Sequence, residues 1–140
     1  MTTQQIGMVT LGNSDLVLAN KDDDVRGMSV LDPNGHRIGE VDEIVVDEGE
    51  RRARLLVVAS GGILGFAEDK RLVPIEAIAR VGDDIRLNYT HADVRDGAQY
   101  DPELKDAPDF AEVYSYYGYL PFWQIGYTSH YFHDRRHPGR

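Results

Sequence analysis

The run Ala53-Arg54-Leu55-Leu56-Val57-Val58-Ala59-Ser60 decides the fold class. It is rich in aliphatic and β-branched residues. Glu48-Gly49-Glu50 before it and Gly61-Gly62 after it are turn chemistry, so the run reads as a strand. A strand with one wet face alternates apolar and polar side chains. Leu55-Leu56-Val57-Val58 does not alternate, so both faces of this strand must be covered. One faces the interior of a small barrel. The other needs a lid, from another segment of the chain, from a second subunit, or from both. Each such side chain left in water forfeits about 1.5–3 kcal/mol.

Outward from this strand the text stays β from Val25 to Tyr89. Met28–Leu31 is followed by Asp32-Pro33-Asn34-Gly35, in which Pro presets the first corner of a turn and Asn or Gly accepts a positive φ later in it. Ile38–Asp47 reads as a longer strand and Glu48-Gly49-Glu50 reverses the chain. After the loop Gly61–Phe66, Arg71–Pro74 is a short strand, with Pro74 placing it at a sheet edge or at a strand end. Ile78–Val81, the turn Gly82-Asp83-Asp84 and Ile85–Tyr89 form a final hairpin. These are about six strands, the pattern of a small barrel or compact sandwich. Helical period enters only afterwards. Phe110, Val113, Tyr114 and Tyr117 recur at i, i+3, i+4 and i+7. Asp106 is placed as N-cap, Pro108 in the first turn, Gly118 as the left-handed stop and Pro121 as a bar to continuation. A helix of about a dozen residues is marginal alone in water, so it must pack on the barrel.

The expected organisation is therefore a polar, solvated arm at 1–23, a barrel at 24–90, a helical and aromatic extension at 91–126 and a basic tail at 127–140. Within the arm, Leu16-Val17-Leu18-Ala19 is apolar enough to dock as an edge strand or against a partner. The 140 residues allow one domain with short extensions. There is no cysteine, which excludes a disulfide framework, a cysteine zinc site and a thiol nucleophile. No apolar run reaches the roughly 18 residues of a membrane span, and no signal peptide is indicated. The expected setting is the cytoplasm. A net charge of −9 argues against broad binding to nucleic acid or anionic lipid. The 13 aromatic residues (8 Tyr, 4 Phe, 1 Trp) are unevenly spread: all but Phe66 and Tyr89 lie at or beyond Tyr100. A narrow barrel filled by small aliphatic side chains has little use for aromatics, whereas a segment covering an outer face has much.

In order along the chain, the strands resemble the PRC-barrel domain. Asp24–Asp32 looks like its opening strand and Gly35–Glu43 its glycine-punctuated second strand. Arg52–Val58 with Gly61–Gly65 matches the third strand and following loop, and Leu72–Ile78 the closing segment. The stretch from Tyr100 through Tyr116-Tyr117-Gly118 to Pro121-Phe122-Trp123 is similar to tails of stand-alone bacterial PRC-barrel proteins. The family is named for the cytoplasmic domain of the photosynthetic reaction-centre H subunit and also supplies the C-terminal half of a 16S rRNA maturation factor. The resemblance implies a mainly β, six-stranded barrel with a C-terminal helix and aromatic tail. It further implies a non-enzymatic docking or adaptor module with no shared catalytic residues and no cofactor, and a stress-associated role.

The expected partners are a second copy and an unknown protein, with Tyr116, Tyr119, Phe122, Trp123, Arg135 and Arg136 as the contact surface. Aromatic residues are frequent interface anchors. The alternative is an RNA-associated protein. His130–Arg140 carries Arg135, Arg136 and Arg140 against Asp134, a net of 3 − 1 = +2, and aromatics beside arginine stack on unpaired bases. The bland reading of that tail is docking on its own acidic barrel. A weaker alternative is metal binding by His130, His133 and His137, which would share one helical face, although Pro138 follows at once. Glu40, Asp42, Glu43, Asp47, Glu48 and Glu50 read as a solvated acidic face rather than a cation site. Gly61–Gly65 lacks the Lys-Ser/Thr of a phosphate loop, and no serine sits in a nucleophile elbow.

Overall fold

The apolar run forms β4 (Ala53–Ser60), hydrogen-bonded on one side to β3 (Arg37–Asp47) and on the other to β5 (Asp69–Pro74), both antiparallel. All its residues but Ser60 are buried. Both faces of β4 are covered, as the missing alternation requires. The computed structural model describes residues 6–61, 69–124, 126 and 127. A curled sheet runs in the order β5-β4-β3-β2-β7-β6, where β2 is Ser29–Leu31, β6 Ile78–Val81 and β7 Ile85–Leu87. Six strands thus fall in the stretch expected to hold six. The β2–β7 pair is parallel and the other neighbours are antiparallel. One turn of 3-10 helix, Ile75–Ala77, carries the chain directly from edge strand β5 to edge strand β6, so the half-barrel is closed covalently rather than by a ladder. Pro74 ends β5, the place where its missing N–H costs least.

The strands contribute small branched chains to the core, and the register divides those of β4 between its two faces, Leu56 beside Ile44 on one and Leu55 beside Val45 on the other. Gly39 lets β3 approach β4 closely: a Cβ there would stand 2.3 Å from the Ala59 carbonyl oxygen.

The N-terminal arm departs from expectation. Residues 6–23 are not simply solvated, for Met8, Leu11 and Leu18 are buried. Met8–Thr10 forms β1, antiparallel to β3 at Val45–Asp47. The reason is length. β3 has eleven residues, whereas β2 covers only its Arg37–Glu40 end, so the far end needs another neighbour. Leu16–Ala19 is no edge strand. Leu18 tucks into the core, Val17 is exposed, and Ala19 N–H donates to Arg51 C=O at 2.8 Å.

The C-terminal helix begins as a 3-10 turn, Ala107–Phe110, and continues as α2 (Ala111–Tyr117). Phe110, Val113, Tyr114 and Tyr117 are all buried, the stripe that the period defined. The Asp109 carboxylate accepts the N–H of Asp106 and of Lys105 at 3.1 and 3.2 Å. Gly118 adopts φ 82° and stops the helix. A five-residue helix, α1 (His91–Arg95), precedes it. Thr90 Oγ1 accepts Asp93 N–H and Asp93 Oδ2 accepts Thr90 N–H, a reciprocal cap that Thr90-His91-Ala92-Asp93 spells out.

Candidate functional site

Phe122 and Trp123, after α2, pack against the core, and Phe122 joins a buried polar cluster. Asp47, at the end of β3, and Arg54, in β4, are both almost wholly buried, and Arg54 Nε donates to Asp47 Oδ2 at 2.6 Å. The other arm of the guanidinium donates to Glu50 Oε1 at 2.5 Å. Asp47 Oδ1 accepts Glu50 N–H at 2.6 Å and so holds the hairpin turn. Over the guanidinium lies the Phe122 ring, 4.1 Å from its centroid. Asp47 therefore leaves the solvated acidic face on which its spacing placed it. A carboxylate can be buried here because Arg54 and the turn amide both serve it. Glu40, Asp42, Glu48 and Glu50 are exposed as expected, and Glu43 is half-buried.

Aromatic contacts tie the extension down. Phe122 and Trp123 meet edge to face at 5.1 Å between centroids, and both meet Tyr114, at 6.4 and 5.6 Å. Tyr89, the last barrel aromatic, stands between Tyr117 at 4.8 Å and Tyr119 at 6.2 Å, and its hydroxyl donates to Tyr117 C=O at 2.6 Å. Tyr127 donates to Glu76 Oε2, and Glu76 itself is buried on the 3-10 turn that closes the half-barrel. Glu76 Oε1 and the Tyr114 hydroxyl have no hydrogen-bond partner among the described residues. Burial first, then the Glu76 charge, pushes the Tyr114 phenol well above its ordinary range. Burial likewise raises Tyr117, with Tyr116 and Asp93 adding to it. These phenols stay neutral near pH 7 and serve there as packing, for neither hydroxyl has a hydrogen-bond partner among the described residues.

The expected contact residues divide into three groups. Tyr116 is 47% exposed and Leu120, two residues beyond the Gly118 stop, equally so. The Tyr116 hydroxyl donates to Asp93 C=O at 2.6 Å. Tyr119, Phe122 and Trp123 are partly buried against their own core, so much of their apolar surface is already used within the chain. Arg135, Arg136, His130, His133 and His137 lie outside the described residues, as does the loop 62–66. Among the described residues no three His, Asp or Glu side chains stand close enough to hold a metal. No helix of the described residues is long and apolar enough to cross a membrane.

The Asp47–Arg54–Glu50 cluster was not foreseen. Its signal was present: an arginine inside an otherwise apolar strand, seven residues from an aspartate across a tight reversal. Charged residues are almost never fully buried unless paired.

A short curled sheet with a parallel contact of two residue pairs, closed by one helical turn and capped from outside by a helix, defines a small β-barrel module. The PRC-barrel domain model matches residues 19–94, just over half of the chain, and the chain belongs to that family. No curated protein matches it.

Proposed function

We propose that the chain is a non-catalytic docking module whose contact face is the aromatic end of α2 with the segment that follows it, and that it uses this face to pair with a second copy. The observation that carries this reading is the half-exposed pair Tyr116 and Leu120. They stand on a segment that ring contacts from Tyr89, Tyr114 and Trp123 hold in place. A preorganised apolar face loses little entropy on binding, and tyrosine is a common interface anchor. A two-fold axis would bring the same patch together on both subunits. A body charged −9 resists self-association, so the contact must lie where charge is sparse. From Ser115 to Trp123 there is no charged residue. Family membership supports an interaction role. The RNA reading rests on Arg135 and Arg136 and the metal reading on the three histidines of the tail, all of which lie outside the described residues. Light scattering at micromolar concentration is expected to give twice the 15.8 kDa chain mass, and Leu120→Asp to return it to the single mass with the fold intact. A wild-type monomer at that concentration refutes the pairing.

A further inference from the structure

The outer edge of β1 is unfinished. β1 pairs with β3 at Met8↔Asp47, Val9↔Val46 and Thr10↔Val45, and Glu48 N–H donates to Gly7 C=O at 2.9 Å. Bonded residues alternate along an antiparallel ladder. Gly7 and Val9 therefore turn their backbone groups toward β3, while Met8 and Thr10 turn theirs away. A second ladder starts on that outer side. Ala107 N–H donates to Ile6 C=O at 2.8 Å and Met8 N–H to Lys105 C=O at 2.7 Å. There it stops. The next bond would run from Lys105 N–H to Met8 C=O, but Lys105 N–H donates instead to Asp109 Oδ2 at 3.2 Å. No backbone hydrogen bond joins 100–104 to β1, and Met8 C=O and Thr10 N–H have no partner among the described residues.

These two groups lie on a groove of about 430 Å³, lined also by the apolar side chains of Val45, Tyr100, Leu104 and Phe110. Glu48 and Asp106 line it too. The far wall, 100–106, carries Asp101, Glu103 and Asp106 against the single cation Lys105. An open strand edge asks for extended backbone, the apolar lining for an apolar side chain, and the acidic wall for a cation.

We propose that this groove takes an extended peptide of another protein as an added strand beside β1, with apolar side chains alternating with Lys or Arg. Alternate side chains of a strand point to opposite faces. One set enters the groove and the other reaches the carboxylates. The net charge of −9 draws such a peptide in. The site is separate from the Tyr116 and Leu120 face.

The test uses the full chain and a fluorescein-labelled octapeptide of alternating Lys and Val, followed by anisotropy. The peptide is expected to bind saturably and more weakly as salt rises. A version N-methylated at alternate residues, which cannot extend the ladder, is expected to bind about tenfold more weakly, and an alternating Glu and Val peptide not at all. Thr10→Pro removes the one free donor. Thr10 already sits at φ −86°, close to proline's range, and its N–H is not part of the β1–β3 ladder. This variant is expected to keep its melting temperature and lose about tenfold in affinity. Equal binding of the Lys and Glu peptides, wild-type affinity in a folded Thr10→Pro, or no saturable binding by the full chain would each overturn the proposal. Light scattering of Thr10→Pro separates the two surfaces, since pairing through Leu120 is expected to be unchanged.

Discussion

Arg54→Met is the sharpest test of how the extension is held. The methionine keeps an apolar stem and removes the guanidinium. Asp47 is 1% exposed and then loses its counter-charge. Breaking a buried pair from one side costs about 3–5 kcal/mol. The low end applies because Asp47 Oδ1 still accepts the Glu50 amide at 2.6 Å. The arm to Glu50 adds little, about 0–1 kcal/mol, since Glu50 is largely exposed. The guanidinium over Phe122 at 4.1 Å contributes about 0.5–2 kcal/mol more. The sum is about 4 kcal/mol. At about 3–4 °C per kcal/mol for a chain of this size, the melting temperature should fall by about 12–16 °C. Circular dichroism on heating measures this, with urea unfolding as the second reading. Arg37→Met is the control, because the Arg37–Glu40 pair at 3.2 Å is more than half exposed on both sides and is worth about 0–1 kcal/mol. Asp47→Asn keeps an acceptor for the turn and removes the charge, so the double variant should recover at least about 1 kcal/mol relative to additivity. Trp123 is the sole tryptophan and packs on Phe122, so its emission should shift to the red in folded Arg54→Met. A loss within about 1 kcal/mol of the Arg37→Met control, with unchanged emission, would refute the reasoning.

Gly39→Ala should destabilise by about 3 kcal/mol or prevent folding, because its Cβ would meet the Ala59 carbonyl at 2.3 Å and a backbone ladder cannot yield as a side chain can; denaturant titration checks it. High pH should weaken the fold. Tyr114 and Tyr117 have raised pKa values when folded, so above the ordinary phenol value near 10 the unfolded chain has lost protons that the folded chain keeps, and stability falls as pH rises. A pH series of urea midpoints should decline through that window, with these two phenols ionising only on unfolding. Tyr114→Phe should reduce the decline, and a midpoint flat to strongly alkaline pH would contradict it.

Much of the architecture was legible because its causes are local. The turn Asp32-Pro33-Asn34-Gly35, the reversal at Glu48-Gly49-Glu50 and the hairpin about Gly82-Asp83-Asp84 each follow from backbone preferences of a few neighbouring residues. The stripe Phe110, Val113, Tyr114 and Tyr117 needs only helical period. β1 was not legible, since three residues, Met-Val-Thr, carry no period. They become a strand because the end of β3 lacks a partner, a fact about distant chain. α1 was missed for its brevity, although its reciprocal cap is written in Thr90 and Asp93. Asp47 was misplaced because burial of a charge depends on a register, and the register of β3 on β4 is interrupted near Val45 and Val46.

The order of residues by itself determined a mainly β barrel, a strand covered on both faces and an aromatic helix that must pack on the barrel. Only the tertiary structure decided what each surplus aromatic does. Tyr114 is buried, Phe122 lies over Arg54 and Trp123 packs on both rings, whereas Tyr116 and Leu120 remain on the surface. Helical period and turn chemistry act over a few residues and can be read in sequence. Which buried charge finds its counter-ion, and which strand edge is left unpaired, depends on segments tens of residues apart, and their meeting is settled only when the whole chain has packed.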